Sequence, residues 1–315
     1  MQDDECRAKM PAMNDNQTIA GMLNQAAALL LGQGANPFRV NAYRNAAETI
    51  SGLNRSVREI FDAQGTAGLD ALPGIGAGLA SAIAEILVTG QWSQLERLRG
   101  TIDPIATLQT IPGIGPELAT KIHDALHVDT LEALEAACSD GRLATVPGIG
   151  TRRAAGISAA LTARLNQRRI SARPRPAAAK RPAIGMLLDV DREYRHKAFE
   201  GSLPMLAPKR FNPEGRAWLP ILHTSRDGWH FTALYSNTAR AHELFKTGDW
   251  VVIYAYSDHD PEQQCTVVTE THGKLRGYRT VRGREAECAE HRRRDPADSE
   301  SGSAAAKTGL AATRR

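Results

Sequence analysis

Leu72-Pro73-Gly74-Ile75-Gly76, Ile111-Pro112-Gly113-Ile114-Gly115 and Val146-Pro147-Gly148-Ile149-Gly150 are one phrase written three times, with first glycines 39 and 35 residues apart. Each copy closes a short helical pattern and opens a longer one, which predicts a tight corner between two helices. The proline halts the first helix, because it lacks an N–H and restricts the residue before it. The glycines supply positive φ and let another molecule approach the main chain. The isoleucine between them is the natural plug for a two-helix core. What remains outward is the backbone at Gly74, Gly76, Gly113, Gly115, Gly148 and Gly150, each pair at a helix N-terminus and suited to a phosphate.

A chain of 315 residues has room for two or three domains. No apolar run approaches a membrane span, and Ala26–Leu31 reads as part of an amphipathic helix. Asp3, Asp4 and Glu5 make the N-terminus unlike a signal peptide. Cys6, Cys138, Cys265 and Cys288 are far apart and form no Cys-x-x-Cys pair, so neither a zinc site nor a disulfide framework is indicated. A reducing cytoplasm is the expected setting.

The net charge of +4 is unevenly spread: −5 over residues 1–163, +7 over 164–182, −1 over 183–290 and +3 beyond. The corner-bearing half is therefore no basic sponge. Any grip on a polyanion there relies on aimed amides and local charges such as Lys121, Arg152 and Arg153, with long-range attraction from Arg168, Arg169, Arg173 and Arg175.

Ahead of the first corner, a helix starting near Asn14–Asn16 ends at Gly32 and Gly34. Asn36-Pro37 starts a second, which should turn Ala42, Ala46 and Ile50 inward. A third spans Ser56–Gln64. The three corners are those of the helix-hairpin-helix repeat, which grips a DNA backbone without reading bases. The run from Asn36 to Ala47, followed by the first corner, resembles the N-terminal lyase domain of family X DNA polymerases, the polymerase beta group. Ile111–Leu126 is similar to that family's second hairpin, and Val146–Leu161 to the third hairpin of its bacterial members.

The resemblance implies that Arg39, Tyr43 and Arg44 meet the 5′ phosphate side of a DNA gap; the plain alternative is a solvated face with a core tyrosine. It also implies Na+ or K+ held by backbone carbonyls, of Leu72 and Ile75 or of Ile111 and Ile114, with no other cofactor required. The departures weigh against enzyme activity. Family lyases form a Schiff base through a lysine in the helix after the first corner, where this chain has Ala82 and no lysine at all. The family palm needs a Gly-Ser pair and three carboxylates around magnesium. Asp189-Val190-Asp191, after a strand-like Ile184–Leu188, lacks the Gly-Ser, and Asp258-His259-Asp260 lies in a turn.

Residues 164–182 read as a Pro/Arg linker, either a DNA-tracking arm or a spacer. Residues 183–290 read as an α+β unit. Strands are expected at Trp218–Thr224, Trp229–Tyr235, Trp250–Tyr256, Cys265–Thr271 and Leu275–Val281, with a short helix at Thr238–Lys246. Arg226-Asp227-Gly228 is a hairpin turn. Lys209, Arg210, Arg276, Arg279, Arg282 and Arg284 are candidates for a groove, and the histidines lack ligand spacing.

The expected division is a disordered 1–13, a lyase-like domain at 14–90, two further hairpins at 91–163, the linker, the α+β domain, and a disordered 291–315. The fold class is a mainly α N-terminal half with polymerase-beta-like helices and three hairpins, then an α+β domain with a mostly antiparallel sheet. The leading function is sequence-independent, structure-selective DNA binding in repair, with the DNA backbone as partner and no membrane. An abasic-site lyase using another amine, a C-terminal nuclease and a protein-interaction scaffold are the alternatives.

Overall fold

The structure, a computed structural model, describes residues 13–101, 103–126, 128–169, 180–257, 260 and 262–294. Helix α1 (Met13–Gly32) packs along α2 (Pro37–Ser51). The Asn36 side chain accepts from the Phe38 amide at 2.9 Å and Pro37 fills the first helical position, as that dipeptide predicts. Helix α3 (Val57–Asp70) is capped by Ser56 and breaks helical geometry at Gly65, while α4 (Ala77–Thr89) and α5 (Ser93–Arg99) each end on a left-handed glycine, Gly90 and Gly100. Then come α6 (Pro104–Gln109), α7 (Pro116–Leu126), α8 (Leu131–Ser139), a 3-10 turn at Arg142–Thr145, and α9 (Thr151–Arg169).

The expected strand at Ile184–Leu188 is instead the start of a helix, α10 (Ile184–Phe199). Ile184, Leu187, Val190 and Tyr194 are buried at helical spacing, and that period extends past the short apolar run that read as a strand. Strands β1 (Met205–Leu206), β2 (Leu219–Arg226), β3 (Trp229–Tyr235), β4 (Val251–Ser257), β5 (Gln263–Thr269) and β6 (Arg279–Val281) form one antiparallel meander in sequence order. The β2–β3 turn is the two-residue hairpin expected, with Asp227 at φ 47 and Gly228 at φ 78. Helix α11 (Ala239–Glu243) is shorter than expected, and α12 (Glu285–Arg294) extends into residues expected to be disordered. Gly283 donates to the Glu285 carboxylate ahead of α12, and Cys288 is its buried anchor. Of the strand expected at Leu275–Val281, only β6 forms, because Gly273–Leu275 is a 3-10 turn and Gly277 has φ 82.

The sheet is buried on both faces, which explains why its strands lack clean alternation. Val251, Ile253 and Ala255 face α10 and α12 in one apolar cluster. Their neighbours Val252 and Tyr254, with Leu219, Ile221 and Leu234, share a second cluster with α1–α5. The third cluster, Leu108 to Leu161, closes α6–α9 upon themselves.

Candidate nucleic-acid interface

The three corners are built alike. Gly74, Gly113 and Gly148 take φ of 74°, 90° and 86°, which an L side chain resists. Ile75, Ile114 and Ile149 are only 3%, 4% and 3% exposed, so each plugs the core beneath its turn. Each isoleucine amide closes its turn by donating to Leu72 O, Ile111 O or Val146 O at 3.0–3.1 Å. The prolines and glycines of all three corners are exposed. A Cβ at Gly74, Gly113, Gly115, Gly148 or Gly150 would meet nothing within 4 Å. Among the described residues no backbone acceptor takes the amides of Gly74, Gly76, Gly113, Gly115, Gly148 or Gly150. Each corner therefore offers unsatisfied N–H groups at a helix N-terminus.

Charge around the corners is graded. Helix α4 after the first corner has no basic residue at all. After the second, Lys121 is paired to Glu117 at 2.8 Å, and that lysine holds the Glu117 carboxyl below its usual range. After the third, Arg152 and Arg153 are exposed, with no carboxylate partner among the described residues. Arg168 and Arg169 lie in the last turn of α9, whereas Arg173 and Arg175 fall outside the described residues.

The α2 trio needs correcting. Arg39 is only 4% exposed and points into the sheet, with Nη1 3.3 Å from both Thr232 Oγ1 and His223 Nδ1 and the guanidinium 5.0 Å from the Tyr256 ring centre. Tyr43 is equally buried, bonded to Gln94 at 3.0 Å and packed on Trp92. Arg44 is exposed. Neither Arg39 nor Tyr43 presents a phosphate-binding surface in this arrangement, because the sheet covers that side of α2. Ala42, expected inward, is exposed, while Ala46, Ala47 and Ile50 face the core.

Other sequence candidates are accounted for. Ala82 is buried within the apolar core of α4. Asp189 pairs with Arg192 and Arg226, and Asp191, fully buried, is held by Arg279 at 2.5 Å and Arg195 at 3.1 Å. The candidate C-terminal groove does not form. Arg279 is tied to Asp191 and Asp249, Arg284 to Glu287, and Arg282 covers Trp250, which leaves only Lys209, Arg210 and the exposed Arg276. His223 bonds Gln33 and Thr232; burial, then Arg39 and Arg97, push its pKa well down. Among the described residues no cluster suits a metal ion, and no helix is long and apolar enough to cross a membrane.

One assembly had no signal in the sequence. The Asp129 carboxylate meets His123 Nε2 at 2.9 Å, the Tyr254 hydroxyl at 2.5 Å and Gln264 Nε2 at 3.1 Å. Arg97, 3.3 Å over the Tyr254 ring, forks onto Glu262 at 2.7 and 3.0 Å. Burial opposes charge on both His123 and Asp129, but it is outweighed: bonds to Asp124, at 3.2 Å from Nδ1, and to Asp129 raise the histidine pKa, and the His123 bond lowers that of Asp129. This joint fixes the second hairpin's helix to β4 and β5.

Residues 14–92 match a family described as a helix-hairpin-helix domain, and residues 105–162 one described as a SAM-like helix-hairpin-helix tandem. The N-terminal half is thus a helix-hairpin-helix region, similar to the N-terminal part of a family X polymerase. It is 31% identical over 135 residues to the DNA polymerase/3'-5' exonuclease PolX of Bacillus subtilis (strain 168). That similarity takes in 42% of this chain and 23% of the relative, so the chain spans under a quarter of that protein. The tandem's bounds coincide with the self-contained core of α6–α9.

Proposed function

We propose that this chain binds DNA through the sugar-phosphate backbone, without base preference, and selects gapped, nicked or partly single-stranded DNA in repair. The observation that supports this most is the threefold repetition of an exposed, positive-φ glycine corner with a buried isoleucine and free N-terminal amides. Backbone contacts position a protein on DNA but carry no sequence information, so affinity should be alike for unrelated sequences. The third corner contributes most, because Arg152 and Arg153 add unpaired charge beside its amides. A monovalent cation fits the same role at the first two corners. Leu72 O and Ile111 O each accept one amide, leaving a lone pair that, with the carbonyls of Ile75 and Ile114, would hold the ion and supply positive charge to a phosphate.

The test is a titration of gapped and intact duplex against salt. Arg152→Glu with Arg153→Glu, both on the surface, should lower affinity for every sequence and flatten the log–log salt slope by about two units, at roughly 0.9 per lost phosphate contact. Deleting 164–182 should flatten it further. An unchanged slope in the folded double variant would refute the assignment.

A further inference from the structure

Of the seven large hydrophobic residues exposed among the described residues, four lie on two neighbouring segments: Met205 in β1 and Phe211 on the β1–β2 connection, and Leu244 and Phe245 after α11. Among the described residues three non-glycine residues have positive φ, and apart from Asp227 in its hairpin turn they are Phe211 at 53° and Phe245 at 55°. A bulky residue resists that conformation, so the fold holds two phenylalanines in an unfavourable backbone geometry while leaving Phe245 93% and Phe211 47% exposed.

The connection bearing Phe211 is fixed in place. Lys209 N donates to Gly100 O at 2.9 Å, and Asn237 Nδ2 donates to Arg210 O at 3.1 Å. Asn237 also holds the His242 ring, through Nε2 at 2.6 Å. That ring lies 4.6 Å from Phe211 and 6.1 Å from Trp218, and the Arg210 guanidinium sits 5.1 Å from the Phe211 ring centre. Phe245 N donates to His242 O, so both phenylalanines are anchored to the end of α11. Nearby Arg216, Arg240 and Lys246 are paired with Glu214, Glu243 and Asp249, whereas Lys209 and Arg210 have no carboxylate partner among the described residues. Helix α11 packs beside α7, the helix leaving the second corner.

We infer that Phe211, His242 and Phe245, flanked by Lys209 and Arg210, form a stacking platform for unpaired bases of single-stranded DNA. Exposed rings with unpaired cations beside them match a polyanion that carries flat apolar groups. Only a base that has left its own helix can lie on such a ring, so the platform takes single-stranded rather than duplex DNA. The inference rests on the DNA-binding reading and extends it, since a strand held at the second corner would lead toward the platform.

The experiment uses the full chain, an oligothymidylate of about twelve nucleotides, within the usual range of single-strand sites, and an intact duplex. Phe211→Leu with Phe245→Leu keeps apolar bulk and the same backbone geometry while removing both rings. We expect about tenfold weaker oligothymidylate binding, the loss of one stacked base, and unchanged duplex binding. Lys209→Glu should weaken oligothymidylate binding with both rings intact, which keeps the test open if the double variant is misfolded. Equal oligothymidylate affinity in the folded double variant overturns the platform, as does an equal loss on duplex. A wild-type dimer that the double variant dissociates, with no change in affinity, would make the rings a self-interface and overturn it too. Duplex binding without oligothymidylate binding removes the platform and spares the corners. Ring-dependent oligothymidylate binding without duplex binding does the reverse.

Discussion

The corner at Leu72–Gly76 and the corner at Val146–Gly150 have the same turn and different neighbours. The first belongs to the core that α1–α5 share with the sheet. The Thr49 hydroxyl ties down its Pro73 carbonyl, and a Cβ on Gly78 would already touch Tyr256. The helix that follows it is apolar. The third belongs to a tandem with its own core, and its following helix opens with two bare arginines. A shared five-residue phrase therefore dictates backbone shape, while the next three residues decide what that shape can hold. Under the proposed DNA binding, the first corner would act chiefly as scaffold, and the second and third as the gripping unit.

The joint between the two regions offers the strongest way to break this contrast. Tyr254→Ala removes a buried ring beneath Arg97 and a hydroxyl on Asp129, and should cost about 3–5 kcal/mol in denaturant unfolding. The tandem should then exchange its amide hydrogens faster than α1–α5 do. A loss below about 1 kcal/mol, against that range, would mean that the joint holds little. Next in size, Gly148→Val should weaken DNA binding about tenfold, the worth of one charge-assisted hydrogen bond. Gly74→Val, strained to a similar degree, should change binding far less. Equal losses would erase the distinction between scaffold and grip.

Arg39 sharpens the comparison from the scaffold side. Its Nε and Nη2 have no hydrogen-bond partner among the described residues although the side chain is buried. Arg39→Met should leave stability unchanged or raise it by about 1 kcal/mol, since an apolar side chain avoids desolvating a charge. DNA affinity should not change. Weaker binding instead would show that the sheet lifts from α2 on the complex.

The smallest effect is one of pH. Because the folded His123 pKa lies above its ordinary 6.5, its contribution is complete below that value and fades as pH rises through the raised one. Asp129, held below 3.8, keeps its contribution above that value and loses it as pH falls toward the lowered one. Melting curves of wild type and His123→Gln should converge as pH rises past neutrality; a constant gap would detach the histidine's charge from the joint.

How much could be read in advance depended on range along the chain. Pro-Gly-Ile-Gly specifies its corner locally, so the exposed glycines and plugging isoleucines were foreseeable, as was the Asp227-Gly228 hairpin. Arg39 was not, because the Thr232 that receives it is 193 residues away and α2 alone reads as half solvated. Ile184–Leu188 misled because a five-residue, mostly apolar run suits strand and helix equally until Val190 and Tyr194 extend the period. Helix α12 has one buried residue and no apolar stripe, which leaves periodicity nothing to detect. His123, Asp129 and Tyr254 meet across 125 residues between aspartate and tyrosine, and no spacing rule connects them.

The apolar face that α1–α5 turn toward Leu219, Ile221 and Tyr254 has a consequence for biosynthesis. Those helices leave the ribosome long before their cover exists, and contacts of such sequence separation close slowly. The α6–α9 tandem, complete in itself, needs no such wait. Truncation after residue 182 would leave the earlier helices without their cover and prone to self-association, whereas 105–162 could be excised as a soluble piece.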